Sequence, residues 1–130
     1  MVGIVIVSHS KKVAEGIKDI AVQMADKNQR IIPAGGTADE RIGTDAILIS
    51  KAIEEADTGF GVVVMVDLGS AVLSANMAIE LLGESLKSAV KVADAPLLEG
   101  TLSAVIRASC DGTLDEVVNE AVNSRYALKL

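Results

Sequence analysis

Aromatic side chains are almost missing from this chain: there is no tryptophan, and Phe60 and Tyr126 are the only aromatic residues among 130. A core must therefore be aliphatic, built from Val, Ile, Leu, Ala and Met, and half of the sequence is hydrophobic. Two isolated rings leave nothing to sandwich a flavin, which sets aside a flavodoxin-like electron carrier. Cys110 is the single cysteine, so no internal disulfide is available and a reducing, cytoplasmic location is expected. His9 is the single histidine, and no cluster of metal-ligating residues accompanies it, so no metal site is expected. No Walker-type phosphate loop and no GxGxxG occurs, so the chain carries no nucleotide-binding motif of its own.

Positive charge is also in deficit. Twelve Lys and Arg face 18 Asp and Glu, a net charge of −6, which argues against nucleic acid or an anionic membrane as a partner. Long apolar runs are absent. Val2–Val7 is too short for the hydrophobic region of a signal peptide, and Lys11 and Lys12 follow it rather than precede it. The stretch from Val62 to Ile79 is interrupted by Asp67, Gly69, Ser70 and Asn76, and reads as a strand, a turn and a helix instead of a membrane span. The mean hydropathy of +0.43 therefore belongs to a core.

What the sequence does contain is alternation. Val2–Ser8 is a β-branched run with the character of a strand buried on both faces. A helix follows, with Val13, Ile17, Ile20 and Met24 spaced to share one side. Arg30–Pro33 reads as a second strand, broken by Ala34-Gly35-Gly36-Thr37. A second helix opens near Gly43-Thr44-Asp45 with Thr44 as cap, its stripe being Ala46, Ile49, Ile53 and Ala56. Phe60–Val66 is a third strand, Ser70–Leu82 a third helix apolar on nearly every side, and Val90–Ala93 a fourth strand. Pro96 starts a helix carrying Leu98, Leu102, Val105 and Arg107. Asp111-Gly112-Thr113 ends that helix and caps a last one with Leu114, Val117, Ala121 and Val122. The order predicts a single α/β domain: a mostly parallel, doubly wound sheet of strand order 2-1-3-4 with helices on both faces.

Ligands of such sheets bind beyond the carboxyl ends of the strands, where the order reverses, which here lies between strands one and three. Ser8-His9-Ser10 ends the first strand and Asp67-Leu68-Gly69-Ser70 ends the third, so the topology brings the only histidine and a carboxylate to one crevice. A carboxylate that holds Nδ1–H of an imidazole presents Nε2 as a nucleophile. Gly69 and Ser70, at a helix start, are candidate phosphoryl-binding residues, and Gly36 and Thr37 a second wall of the same site. A histidine after a strand is by itself more often a surface or capping residue, and Asp67 serves equally well as a cap for the third helix.

Ile4-Val5-Ile6-Val7-Ser8-His9-Ser10 resembles the start of the mannose-type IIA domains of the sugar phosphotransferase system, and Asp67 falls where that family has its histidine-orienting aspartate. Ile42-Gly43-Thr44-Asp45-Ala46, the segment Met65-Val66-Asp67-Leu68-Gly69-Ser70-Ala71-Val72-Leu73-Ser74 and Ala95-Pro96-Leu97-Leu98-Glu99-Gly100-Thr101 are similar to one branch, the phosphotransferase (M) subunit of phosphoenolpyruvate-dependent dihydroxyacetone kinase. The resemblance spans residues 1–130 and implies a phosphoryl-carrier domain with His9 and Asp67 as its catalytic pair. It further implies that the phosphocarrier HPr phosphorylates His9. The group then passes to ADP on the kinase's L subunit, with ATP and magnesium also bound there, and the K subunit phosphorylates dihydroxyacetone. Appended carrier-like domains occur in longer relatives; with this chain ending at Leu130, HPr is expected as a separate protein. Gly69-Ser70-Ala71 stands where the sugar transporters carry Gly-Gly-Ser-Pro, which counts against the alternative role, a mannose-transporter IIA domain. A regulatory module that reports phosphorylation state is the alternative from a different class. A homodimer is expected, because a helix as apolar as Ser70–Leu82 has more hydrophobic surface than one sheet can cover.

Overall fold

The computed structural model describes residues 1–130. Four strands alternate with helices: β1 Gly3–Ser8, α1 Lys11–Ala21, β2 Ile31–Gly35, α2 Ala46–Ala56, β3 Val62–Val66, α3 Gly69–Glu80, α4 Glu84–Lys87, β4 Val90–Ala93, α5 Leu97–Ser109 and α6 Leu114–Asn123. Short 3₁₀ turns follow α1 and α6, at Val22–Met24 and Ser124–Tyr126. All strand pairs are parallel and the sheet order is β2-β1-β3-β4, as the alternation of elements predicts.

Both faces of the sheet are covered. Ile4, Ile6, Val63 and Met65 point toward α1, α5 and α6, while Val5, Val7, Val62 and Val64 point toward α2 and α3. Because neither face meets water, β1 and β3 need no polar alternation, and both are buried at every position. Each fully buried Val or Ile there contributes about 1.5–3 kcal/mol of transfer free energy. Helix α2 lies so close to β1 that a Cβ on Gly3 would sit 2.1 Å from the Ala56 carbonyl oxygen.

Several local expectations need correction. Strand β2 runs two residues further than Arg30–Pro33 and keeps Pro33 inside it, which an edge strand tolerates because one side of its backbone is unpaired. Phe60 lies outside β3 and is 66% exposed. The sheet-facing side of α1 is Ala14, Ile17 and Ala21, and Val13, Ile20 and Met24 are left about half exposed. Similarly α5 rests on Gly100, Thr101, Ala104, Val105 and Ala108, with Leu98 and Arg107 to the side. Small residues let these helices approach closely, and the larger ones flank the contact. Asp45, not Thr44, caps α2: its extended backbone lets Oδ1 accept from the amides of Ile47 and Leu48 at 2.9 and 3.3 Å. Thr44 instead shares a 2.6 Å hydroxyl–hydroxyl hydrogen bond with Ser74 of α3. The last helix starts as read, with Thr113 and Glu116 forming a capping box.

Candidate phosphoryl-transfer site

Strands β1 and β3 are hydrogen-bonded neighbours, with Val7 opposite Val66, so the residues that follow each strand meet at the same end of the sheet. His9 stands in the two-residue link between β1 and α1, whose cap is Ser10, its hydroxyl accepting from the Val13 amide at 3.2 Å. Asp67 stands between β3 and α3. The parallel register therefore brings together two residues 58 positions apart.

Asp67 is not a helix cap. The cap position of α3 is Leu68, without a side-chain hydrogen bond, and the Asp67 carboxylate turns toward β1. Its Oδ2 accepts from the Ser8 hydroxyl at 3.0 Å and from the His9 amide at 2.9 Å. Its Oδ1 lies 3.0 Å from His9 Nδ1 and accepts from the Leu68 amide at 2.7 Å. Burial on its own pushes the Asp67 carboxyl up. The His9 amide and ring, the Ser8 hydroxyl and the Leu68 amide outweigh that effect and hold it below its ordinary value. The aspartate is thus an anion and can only accept, so Nδ1 carries the ring proton and donates it. In the neutral ring this leaves a lone pair on Nε2, positioned to accept from the Ser70 hydroxyl at 2.8 Å. The imidazole is held at both nitrogens while its side chain remains 23% exposed.

Gly69 and Ser70 open α3. Amides in a first turn have no acceptor within their own helix, and the Ser70 hydroxyl of that turn lies against Nε2. Gly36 and Thr37 end up differently. The Gly36 amide donates to the Ser8 carbonyl and the Thr37 amide to the Arg41 carbonyl, both at 3.0 Å. The Thr37 hydroxyl donates to Asp39 at 2.6 Å. These donors are engaged within the main chain and loop around β1 and β2, and leave the first turn of α3 as the open donor set. The same loop returns to hold the histidine: the Gly43 amide donates to the His9 carbonyl at 2.9 Å. Neither Gly43 nor the Ser8 hydroxyl is assigned a role by the sequence; a serine closing an otherwise apolar buried strand is the signal that could have identified the latter.

Ile42, Leu68 and Leu73, on the segments that lead into or out of the site residues, are each at least 60% exposed. A cleft of about 410 Å³ opens next to Asp67 between Leu68, Val72, Val92 and Ala95. A separate groove of about 360 Å³ follows the β2 edge between Lys11, Pro33 and Leu48 and does not include His9. No group of three or more His, Cys, Asp or Glu comes together anywhere in the chain to hold a metal.

The site thus sets an imidazole, backed by a carboxylate, at the switch point of a four-stranded parallel sheet. The family model EIIA-man, described as the PTS system fructose IIA component, matches residues 3–118. A "PEP-dependent dihydroxyacetone kinase, phosphoryl donor subunit DhaM" of Providencia stuartii is 42% identical over 130 residues, covering 98% of this chain and 27% of that protein. The corresponding subunit of dihydroxyacetone kinase 2 from Listeria innocua is 37% identical over 123 residues, covering 95% of this chain and 98% of that one. A crystal structure of a protein of unknown function, EF1359, superposes with a TM-score of 0.83 at 39% identity, over 92% of each chain. The chain belongs to the EIIA-man family, in its DhaM branch. It spans about a quarter of the length of the Providencia relative and nearly all of the Listeria one. No helix is long and apolar enough to cross a membrane.

Proposed function

We propose that this chain is a phosphoryl donor subunit of a dihydroxyacetone kinase, carrying the group on His9 Nε2. The observation that carries the reading is the pair of ring contacts, Nδ1 on Asp67 and Nε2 beside the start of α3. In the first step the N–P bond of phosphorylated HPr breaks and a new one forms at His9 Nε2. The ring keeps Nδ1–H, and the positive charge it gains is balanced by Asp67. The Ser70 hydroxyl must rotate off Nε2 as phosphorus approaches, and can then donate to a phosphoryl oxygen together with the amides of Gly69 and Ser70. In the second step the N–P bond breaks toward ADP on the L subunit, regenerating the neutral ring. The nucleotide and magnesium belong to that partner, and the K subunit consumes the ATP to phosphorylate dihydroxyacetone. The relatives named as phosphoryl donor subunits support dihydroxyacetone kinase as the system it serves.

The reading also includes a homodimer. In α3 only Ala71, Ala75 and Ala78 are fully covered by the sheet side, and Leu73, Met77 and Leu81 remain 60–67% exposed. A second copy covering them accounts for the excess apolar surface. Light scattering at micromolar protein should give twice the monomer mass, and Met77→Asp should lower it to that of one chain.

Reconstitution with phosphoenolpyruvate, enzyme I and HPr tests the transfer. The protein should acquire an acid-labile, base-stable phosphoryl group, lose it to ADP only when the L subunit is added, and remain unlabelled as His9→Ala. Label recovered on serine, or persisting in His9→Ala, would overturn the reading.

A further inference from the structure

Ser8 is 1% exposed, and it is one of only three polar residues in the buried set, with Ser50 and Thr101. Thr101 has a local role: its hydroxyl donates to the Leu97 carbonyl one turn earlier in its own helix. Ser8 reaches across the sheet instead. Its hydroxyl donates to Asp67 Oδ2 at 3.0 Å and accepts from the Ser10 amide at 3.1 Å, and so bridges the cap of α1 to the carboxylate that holds His9.

The pattern of donors on Asp67 shows what this bridge does. Oδ2 is fixed by Ser8 and by the His9 amide, and Oδ1 by the Leu68 amide, leaving one lone pair of Oδ1 aimed at His9 Nδ1. A carboxylate turns readily about its terminal bond, which has broad, soft minima. Turning it would carry Oδ1 out of line with Nδ1. Two of the three restraints that oppose the turn are main-chain amides. The Ser8 hydroxyl is the only one supplied by a side chain other than the reacting pair.

We propose that Ser8 is a positioning residue for phosphoryl transfer: its buried hydroxyl, linked to the Ser10 amide, sets the plane in which Asp67 holds the imidazole of His9. This rests on the function proposed above. Without the hydroxyl, Asp67 keeps its charge and its two main-chain donors but loses one of the three restraints against twisting, and the Ser10 amide loses its acceptor. The ring then samples the tautomer protonated on Nε2, which has no lone pair to offer phosphorus.

Two measurements on Ser8→Ala and Ser8→Thr test this. The first is the ¹⁵N shifts of the His9 ring nitrogens in the unphosphorylated protein above the titration range of the ring, which need no donor. The second is the initial phosphorylation rate from phosphorylated HPr. Ser8→Ala should show a larger share of the Nε2–H tautomer and a rate about tenfold lower, the effect of weakening one charge-assisted hydrogen bond. Ser8→Thr, which retains the hydroxyl, should recover both. Thermal melts of the two variants confirm that the compared proteins are folded. Unchanged ring shifts or an unchanged rate in folded Ser8→Ala overturns the proposal, and so does a folded Ser8→Thr as impaired as Ser8→Ala. If the wild-type protein accepts no phosphoryl group at His9, the functional reading fails instead, while the ring shifts still report on Ser8.

Discussion

Asp67→Asn keeps the shape of the side chain while removing its charge and one of its two acceptor atoms. The groups that reach Asp67 are all donors: the Ser8 hydroxyl and His9 amide on Oδ2, His9 Nδ1 and the Leu68 amide on Oδ1. An asparagine has to turn its NH₂ toward one of these pairs, and each pair contains a main-chain N–H that cannot become an acceptor. With NH₂ in place of Oδ2, the His9 amide is orphaned although the ring keeps its Nδ1–H bond. With NH₂ in place of Oδ1, the Leu68 amide faces another donor and the ring accepts at Nδ1. That moves the ring proton to Nε2 and removes the nucleophilic lone pair. Both orientations lose the negative charge that balances the ring when Nε2 carries phosphorus. A hydrogen bond to a charged group contributes about 1.5–3 kcal/mol, and about 1.4 kcal/mol corresponds to tenfold in rate. Phosphorylation of Asp67→Asn from phosphorylated HPr should therefore be about ten- to a hundredfold slower. The assay is the initial rate of label uptake, run beside a urea melt so that only folded protein is counted. A folded Asp67→Asn that accepts phosphate at the wild-type rate would refute the claim that this carboxylate organises the ring.

Acid should separate the same two proteins by stability. Folding lowers the Asp67 pKa, so its contribution is complete above the unfolded value of about 3.9 and is lost as pH falls through the lower folded value. Urea midpoints measured from about pH 6 to about pH 2 should fall more steeply for wild type than for Asp67→Asn, and parallel curves would contradict the sign. Two glycine substitutions should act in opposite directions. Gly3→Ala places a Cβ 2.1 Å from the Ala56 carbonyl oxygen and should cost about 1–3 kcal/mol or more. Gly16→Ala, exposed within α1 with nothing within 4 Å of its new Cβ, should stabilise by about 0.5–1 kcal/mol. Ile53→Ala, on the fully buried side of α2, should cost about 2–5 kcal/mol in a denaturant melt while leaving the His9 ring shifts in place.

Much of the architecture is legible in the chain itself. Val2–Ser8 and Val62–Val66 are so uniformly apolar that only strands covered on both faces can accommodate them, and intervening helices require those strands to run parallel. Once strands one and three are neighbours, the residues that end them must meet, which puts His9 beside Asp67 before any coordinate is known. These conclusions depend on patterns that are local, or on topology shared by many sequences, and so they survive translation from one dimension to three.

Tertiary structure decided what depends on distances between elements. Val13, Ile17, Ile20 and Met24 share one side of the first helix by spacing, yet of these only Ile17 meets the sheet, together with Ala14 and Ala21. Close approach of backbones favours small side chains, and residue hydrophobicity alone does not encode it. Thr44 reads as the cap of the second helix, yet Asp45, the stronger capping type, takes that position, and Ser74 on the neighbouring helix gives Thr44 another partner. Gly36 and Thr37 read as open phosphate donors until the loop closed and used their amides. The residue types at the site were thus determined by the sequence. Which proton the ring holds and which amides stay free were determined by hydrogen bonds between segments nearly 60 residues apart, because a donor or acceptor is available only where the folded chain leaves it unpaired.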